Sequence, residues 1–245
     1  MNIMTVKTPY RIPIGGGGTD LPEFYEKYGG FCWGATIDKY VWIKNGKSKN
    51  DLPIGSGMGG SGAYQVGCLK EKYPRGSPGS LAQAVDEKGK QDQYLAAYGG
   101  FLSLKISKTG QVKVKRLKFE PDLINELNSK LMLQWTGLIH DTKEQQKKGL
   151  DLNGMLKIKE IGLTMLSEMK VGNINNFGKL MHEHWMTKKK MNGMSNPELD
   201  EVYEEGLEAG AEGGKLLGSG GGGFFLFYGD VKPNFKFTFK GSEIC

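Results

Sequence analysis

DLPIGSGMGGSGA, residues Asp51 to Ala63, runs straight into Ala63 to Lys72, whose apolar residues fall at helical spacing, and this junction decides how the rest of the chain reads. Glycines let consecutive amide N–H groups converge on one point, and the helix that follows adds the positive end of its dipole. Such a loop can cradle phosphate oxygens, with Pro53, Gly55, Ser56, Gly57, Met58, Gly59, Gly60 and Ser61 within reach. Ser56 and Ser61 supply hydroxyls. A serine at a helix start also suits magnesium, which keeps most of its waters and takes one or two protein groups. The Gly-Lys-Ser/Thr ending of a P-loop is missing, which excludes that mechanism. Taken by itself, the stretch also reads as a flexible surface turn.

Two further glycine runs flank it. PYRIPIGGGGTD, Pro9 to Asp20, carries Arg11 and Asp20, suited to an anionic transition state and a sugar hydroxyl respectively, although an arginine or aspartate near a turn also reads as surface decoration. GGKLLGSGGGGFFLFY, Gly213 to Tyr228, brings a strand or helix end into an apolar strand, and a packed chain crossing is its other reading. Around these runs the pattern predicts strands at 3–14, 31–44, 101–106, 112–117, 131–135, 224–228 and 235–239. It predicts a helix at 91–98 ending on Gly99-Gly100, and helices from Leu156 onward. The order is that of an α+β protein.

The 245 residues are enough for two modest domains, and no repeat or long linker separates independent modules. The 38 glycines cluster in runs, unlike those of a disordered chain. A net charge of +6 comes almost wholly from scattered lysines, since Arg11, Arg75 and Arg116 are the only arginines. Without a basic stripe or interleaved aromatics, nucleic acid is not the expected partner, whereas anionic phosphorylated substrates fit. Cys32, Cys68 and Cys245 have no metal-ligand spacing, and no apolar stretch reaches membrane-spanning length. The expectation is a soluble cytoplasmic protein; a homodimer stays open.

In this order and spacing the three glycine motifs resemble those of the GHMP kinases (galactokinase, homoserine kinase, mevalonate kinase, phosphomevalonate kinase). The wording TPYRIPIGGGGTDLPEFYEKYGG, GKQDQYLAAYGGF and HEHW looks most like the branch containing D-glycero-D-manno-heptose 7-phosphate kinase. The resemblance implies a two-domain fold, with an N-terminal ATP-binding α/β domain at 1–140 containing a left-handed βαβ unit and a ferredoxin-like C-terminal domain at 141–245. It implies a kinase that uses ATP and magnesium to phosphorylate the anomeric hydroxyl of the heptose 7-phosphate. It assigns Asp92 as catalytic base, Arg11 as the residue stabilising phosphoryl charge, Ser61 as the magnesium ligand, and Gly17, Gly18, Thr19, Asp20, Gly220 and Gly221 to the acceptor. Fucose, galactose or a mevalonate-like alcohol as acceptor, and a nucleotide-binding relative without turnover, are the rival readings.

Departures accompany the resemblance. Gly60 and Gly62 stand where relatives often have serine, and Glu87 or Asp86 is left to complete the metal site. The chain looks abrupt at 44–51, 72–80 and 140–150. His182 and His184, two apart on a helix, should face different ways, and Lys188 to Lys190 read as a solvated helix face. Trp33, Trp42, Trp135 and Trp185 read as core or pocket walls.

Overall fold

Strand β1 (Thr5–Gly15) runs antiparallel to the long β2 (Gly30–Lys44), with α1 (Pro22–Tyr28) closing the turn between them. The structure, a computed structural model, describes residues 4–139, 151–191 and 194–245. The abrupt segment at 140–150 lies outside the described residues.

At 44–51 a hairpin is present, in its shortest form. Asn45 (φ 51°) and Gly46 (φ 70°) make a two-residue turn into β3 (Lys47–Asn50), the conformation an Asn-Gly pair favours. The chain then passes through α2 (Gly60–Lys72), α3 (Pro78–Gln83) and α4 (Gln91–Tyr98) before returning as β4 (Phe101–Ile106). β3 and β4 pair with the same edge of β2, at opposite ends of it and in the same direction. β5 (Val112–Arg116) completes the hairpin with β4.

A second sheet has the order β6-β8-β7, from Leu131–Trp135, Phe224–Gly229 and Ala211–Leu216. Helix α5 (Pro121–Lys130) leads into it, and α6 (Leu152–Lys170), α7 (Phe177–Lys189) and α8 (Pro197–Glu208) complete the second half. β8 is buried along its whole length because alternate side chains serve two cores. Leu226 and Tyr228 join the main core shared with the first sheet, while Phe225 and Phe227 pack with Trp185, Leu199 and Tyr203.

A cut at 140 crosses both sheets. β6 precedes it yet pairs with β8, and the chain's last strands, β9 (Phe237–Thr238) and β10 (Glu243–Ile244), pair with β2 and β1. The strand expected at 235–239 shrinks to the two residues of β9. Its alternation holds at Phe235 and Phe237, which are buried, and fails at Phe239, which is exposed; β2 offers only the short gap between β3 and β4 for pairing.

Candidate active site

The loop before α2 alternates in conformation. Gly55, Gly57 and Gly59 have φ of 74°, 73° and 74°, with Ser56 and Met58 buried between them. Such alternation turns successive amides toward one side, making a concave anion-binding nest. Beneath the loop, Arg11 on β1 donates from Nε to Asp92 Oδ1 at 2.7 Å and from Nη1 to the Gly57 carbonyl at 2.8 Å. Its own backbone N–H donates to Met58 O. The Arg11 side chain is 4% exposed and that of Asp92 25%, so the arginine is sealed in while the carboxylate opens to solvent. A Cβ on Gly59 would lie 3.0 Å from Arg11 Cγ and 3.2 Å from Asp92 Cγ; the loop rests on this ion pair.

Asp92 owes its position to Asp20. The Asp20 carboxylate is buried and accepts from Lys90 N (2.8 Å), Gln91 N (3.0 Å) and Gln91 Nε2 (3.3 Å), so it satisfies the open N–H groups at the start of α4. Burial raises its pKa, helped by nearby Asp92, while the backbone bond from Gln91 opposes the rise.

On the other side of the loop, Gln65 Nε2 links Glu87 and Ser61, donating to Glu87 Oε1 at 2.8 Å and to Ser61 Oγ at 3.4 Å. Burial pushes the Glu87 carboxyl upward. The Ser61 hydroxyl opposes that, Asp92 adds to it, and Arg11 draws it back. Glu87 thus stands beside Ser61, whereas Asp86 is exposed. Two oxygen donors at the mouth of a phosphate loop fit magnesium, whose remaining positions go to water and phosphate.

The third glycine run folds onto the loop before α2. A Cβ on Gly218 would meet Gly57 Cα at 2.6 Å, and one on Gly223 would meet Ser56 O at 2.6 Å. Lys188 departs from the solvated face expected of Lys188 to Lys190. It is buried, and its Nζ donates to Gly218 O (2.7 Å) and Leu216 O (3.2 Å). Lys189 remains at the surface, paired with Asp200. Sequence reasoning passed over Lys215, which is buried and donates to Ile14 O at 2.8 Å, with His184 Nε2 at 3.3 Å. Burial lowers the pKa of all three groups, that of Lys188 to about 7 with Arg11 contributing. A signal was available: Met181, His184, Trp185 and Lys188 share the buried stripe of α7 at helical spacing. His182, by contrast, meets Tyr203 OH at 2.8 Å, so the two histidines have separate partners.

The other acceptor candidates divide. Gly17 has open space where a Cβ would stand, with nothing nearer than Pro13 Cβ at 4.0 Å, whereas Gly18 lies against Met155. The Thr19 hydroxyl is taken up inside the turn by Gly16 O and by the backbone of Phe31. Gly220 and Gly221 pack on Met194.

Residues 165–233 match the family "GHMP kinases C terminal". The chain therefore carries a GHMP kinase C-terminal segment, and over its whole length it is similar to kinases. It is 26% identical to D-glycero-alpha-D-manno-heptose 7-phosphate kinase of Campylobacter jejuni, over 97% of this chain and 92% of that one. A mevalonate kinase of Methanothermobacter thermautotrophicus is 29% identical over 72% of this chain and 61% of its own. Among solved structures, a D-glycero-D-manno-heptose 1-phosphate kinase of Bacteroides thetaiotaomicron superposes with a TM-score of 0.77 at 22% identity, covering 99% of this chain and 98% of that one. The mevalonate kinase of Methanococcus jannaschii gives 0.69 at 19% identity, covering 93% and 90%. The alignment with the Campylobacter protein runs over 314 positions against the 245 residues here, so that kinase has segments this sequence lacks.

Proposed function

We propose that this chain is a GHMP kinase and transfers the γ-phosphoryl group of ATP to the anomeric hydroxyl of a phosphorylated heptose, giving a bisphosphate. The observation that carries the reading is the Arg11–Asp92 pair seated under the phosphate loop, with Ser61 and Glu87 at its mouth. The loop amides and the start of α2 receive the phosphates of ATP. Ser61 and Glu87 hold magnesium, which supplies neutralisation of phosphate charge. Arg11 fixes Asp92 Oδ1, and Oδ2 takes the proton of the acceptor hydroxyl as its oxygen attacks the γ-phosphorus. The bond from that phosphorus to the bridging oxygen breaks, and ADP leaves with the electron pair. Arg11 and the loop amides offset the charge on the transferred group.

ADP release with a panel of heptose 7-phosphate, fucose, galactose and mevalonate tests this. Turnover on the heptose phosphate, lost in Asp92→Asn, is the expected result; ATP binding without turnover on any acceptor would sink it. That outcome is the second reading, a nucleotide-binding relative, and the segments missing against the Campylobacter protein favour it.

A further inference from the structure

A cavity of about 530 Å³, within the range of small-molecule pockets, opens between the start of α4 and the turn of the β4–β5 hairpin. Gln83, Lys90, Gln93 and Tyr94 line it from the helical side, and Thr109 and Gln111 from the hairpin. Arg11, Asp92, Ser61 and Glu87 are not among its walls. At about 100° per residue, the face made by Lys90, Gln93 and Tyr94 lies roughly 150° around the helix from Asp92. This cavity and the candidate active site therefore occupy different sides of α4.

Gln93 is the unusual wall residue. It is 1% exposed, and its Nε2 donates to Gly89 O at 2.8 Å, which leaves Oε1 as a buried acceptor without a partner. Buried polar atoms are nearly always satisfied, so an orphan in a cavity wall calls for a donor from outside the chain. The walls hold no carboxylate, and none pairs with Lys90 among the described residues. The hairpin strengthens the positive potential. From Gln93 to Phe119 the sequence has six lysines and arginines and no aspartate or glutamate, and Lys105 stands directly opposite Lys113.

These walls select a ligand that is rich in hydroxyls and carries one negative charge. The side chains of Gln83, Gln111 and Thr109 can both donate and accept, as hydroxyl groups require, and Gln93 Oε1 accepts. One ammonium, that of Lys90, offsets one charge. A phosphate dianion would call for backbone amides as well, and the two at the start of α4, Lys90 N and Gln91 N, are spent on Asp20. We propose that this cavity binds a small polyhydroxylated carboxylate, a sugar acid, with its carboxylate on Lys90 and its hydroxyls on the glutamines and Thr109. Lys90 and Gln93 flank Gln91 and Asp92 in the chain, so a ligand held by both also steadies the first turn of α4. The site stands independently of the kinase reading.

Calorimetric titration of the full chain with glucuronate, galacturonate and gluconate tests it, with glucose as the uncharged control and glucose 6-phosphate as the phosphorylated one. The wild type is compared with Lys90→Met and with Gln111→Trp, which fills the cavity from an exposed turn and leaves the core alone. At least one sugar acid should bind the wild type, about tenfold or more weaker in Lys90→Met, the scale of one charge-assisted hydrogen bond, and not measurably in Gln111→Trp. Glucose should bind about tenfold or more weaker than that acid. Thermal melts show whether the variants fold; should Gln111→Trp not do so, Thr109→Trp takes its place. No binding of any sugar acid, binding that survives the tryptophan variant, or glucose binding as tightly as the acid would each overturn the proposal. Glucose 6-phosphate binding more tightly than the acids, and lost in the tryptophan variant, would overturn it too, by making the site one for phosphate.

Discussion

At the scale of single residues, the proposed chemistry is concentrated on the Arg11–Asp92 pair. Asp92→Asn keeps the shape and removes the proton acceptor. Turnover should fall roughly 10²- to 10⁴-fold, the usual worth of a positioned base, with MgATP affinity kept, as single-turnover and titration experiments would show. Gly62 is the less obvious case. A Cβ there would lie 2.9 Å from Asp92 Cβ and 3.1 Å from Gln93 N, so α2 and α4 touch through a missing side chain. Gly62→Ser should cost about 1–3 kcal/mol in denaturant midpoints, as overpacking does, and should lower turnover by shifting Asp92. Lys188 yields a pH prediction. Its pKa falls from 10.5 to about 7, through burial first and Arg11 second. Between pH 7 and 10.5 the unfolded chain therefore binds more protons than the folded one, and this group makes stability rise with pH, by at most about 1.4 kcal/mol per unit. Lys215 acts in the same direction. Chemical denaturation at pH 7 and 9 should show the rise, and Lys188→Met should flatten it. The glycines of the phosphate loop were legible because positive φ restricts the choice of residue. Lys188 was not, because Lys-Lys-Lys reads as charge, and its burial depends on carbonyls of a turn about thirty residues further on.

Elements show how the site is held. α4 is eight residues long and is fixed at its start by Asp20 from the first glycine run, so the acceptor candidate of the sequence works in this structure as a helix cap. Asp20→Ala should cost about 1–2 kcal/mol in thermal or denaturant unfolding. It should also reduce turnover, because Asp92 sits in the first turn of that helix. The Asn45-Gly46 turn offers a cleaner measurement. No atom lies within 4 Å of a Cβ placed on Gly46, so Gly46→Ala should report backbone strain alone, about 1 kcal/mol, without altering activity. The helix at 91–98 and the strands flanking the glycine runs could be read from period and punctuation. α3 could not, since it is a six-residue helix starting at a proline with few apolar residues; α5, with Leu123, Ile124 and Leu127 at helical spacing behind Pro121, carried a signal that the reading passed over.

On the scale of the whole molecule, the pairing of distant segments escapes pattern reading altogether. Nothing in Glu243 or Ile244 announces that they will lie beside Lys7 and Val6, nor in Leu131 that it will face Tyr228. Periodicity reports which side of an element is buried, not which partner buries it. The expected division at 140 failed to follow the sheets for that reason. The closing of the chain on its own beginning has a further meaning in time. Ser242 meets Thr8 through their hydroxyls at 2.8 Å, and its backbone N–H donates to Ala96 O, so the tail clasps both β1 and α4. A ribosome delivers β1, the phosphate loop and α4 long before it delivers that clasp. During synthesis β1 waits with an open edge, and α4 receives the support of Ser242 only once that residue has emerged.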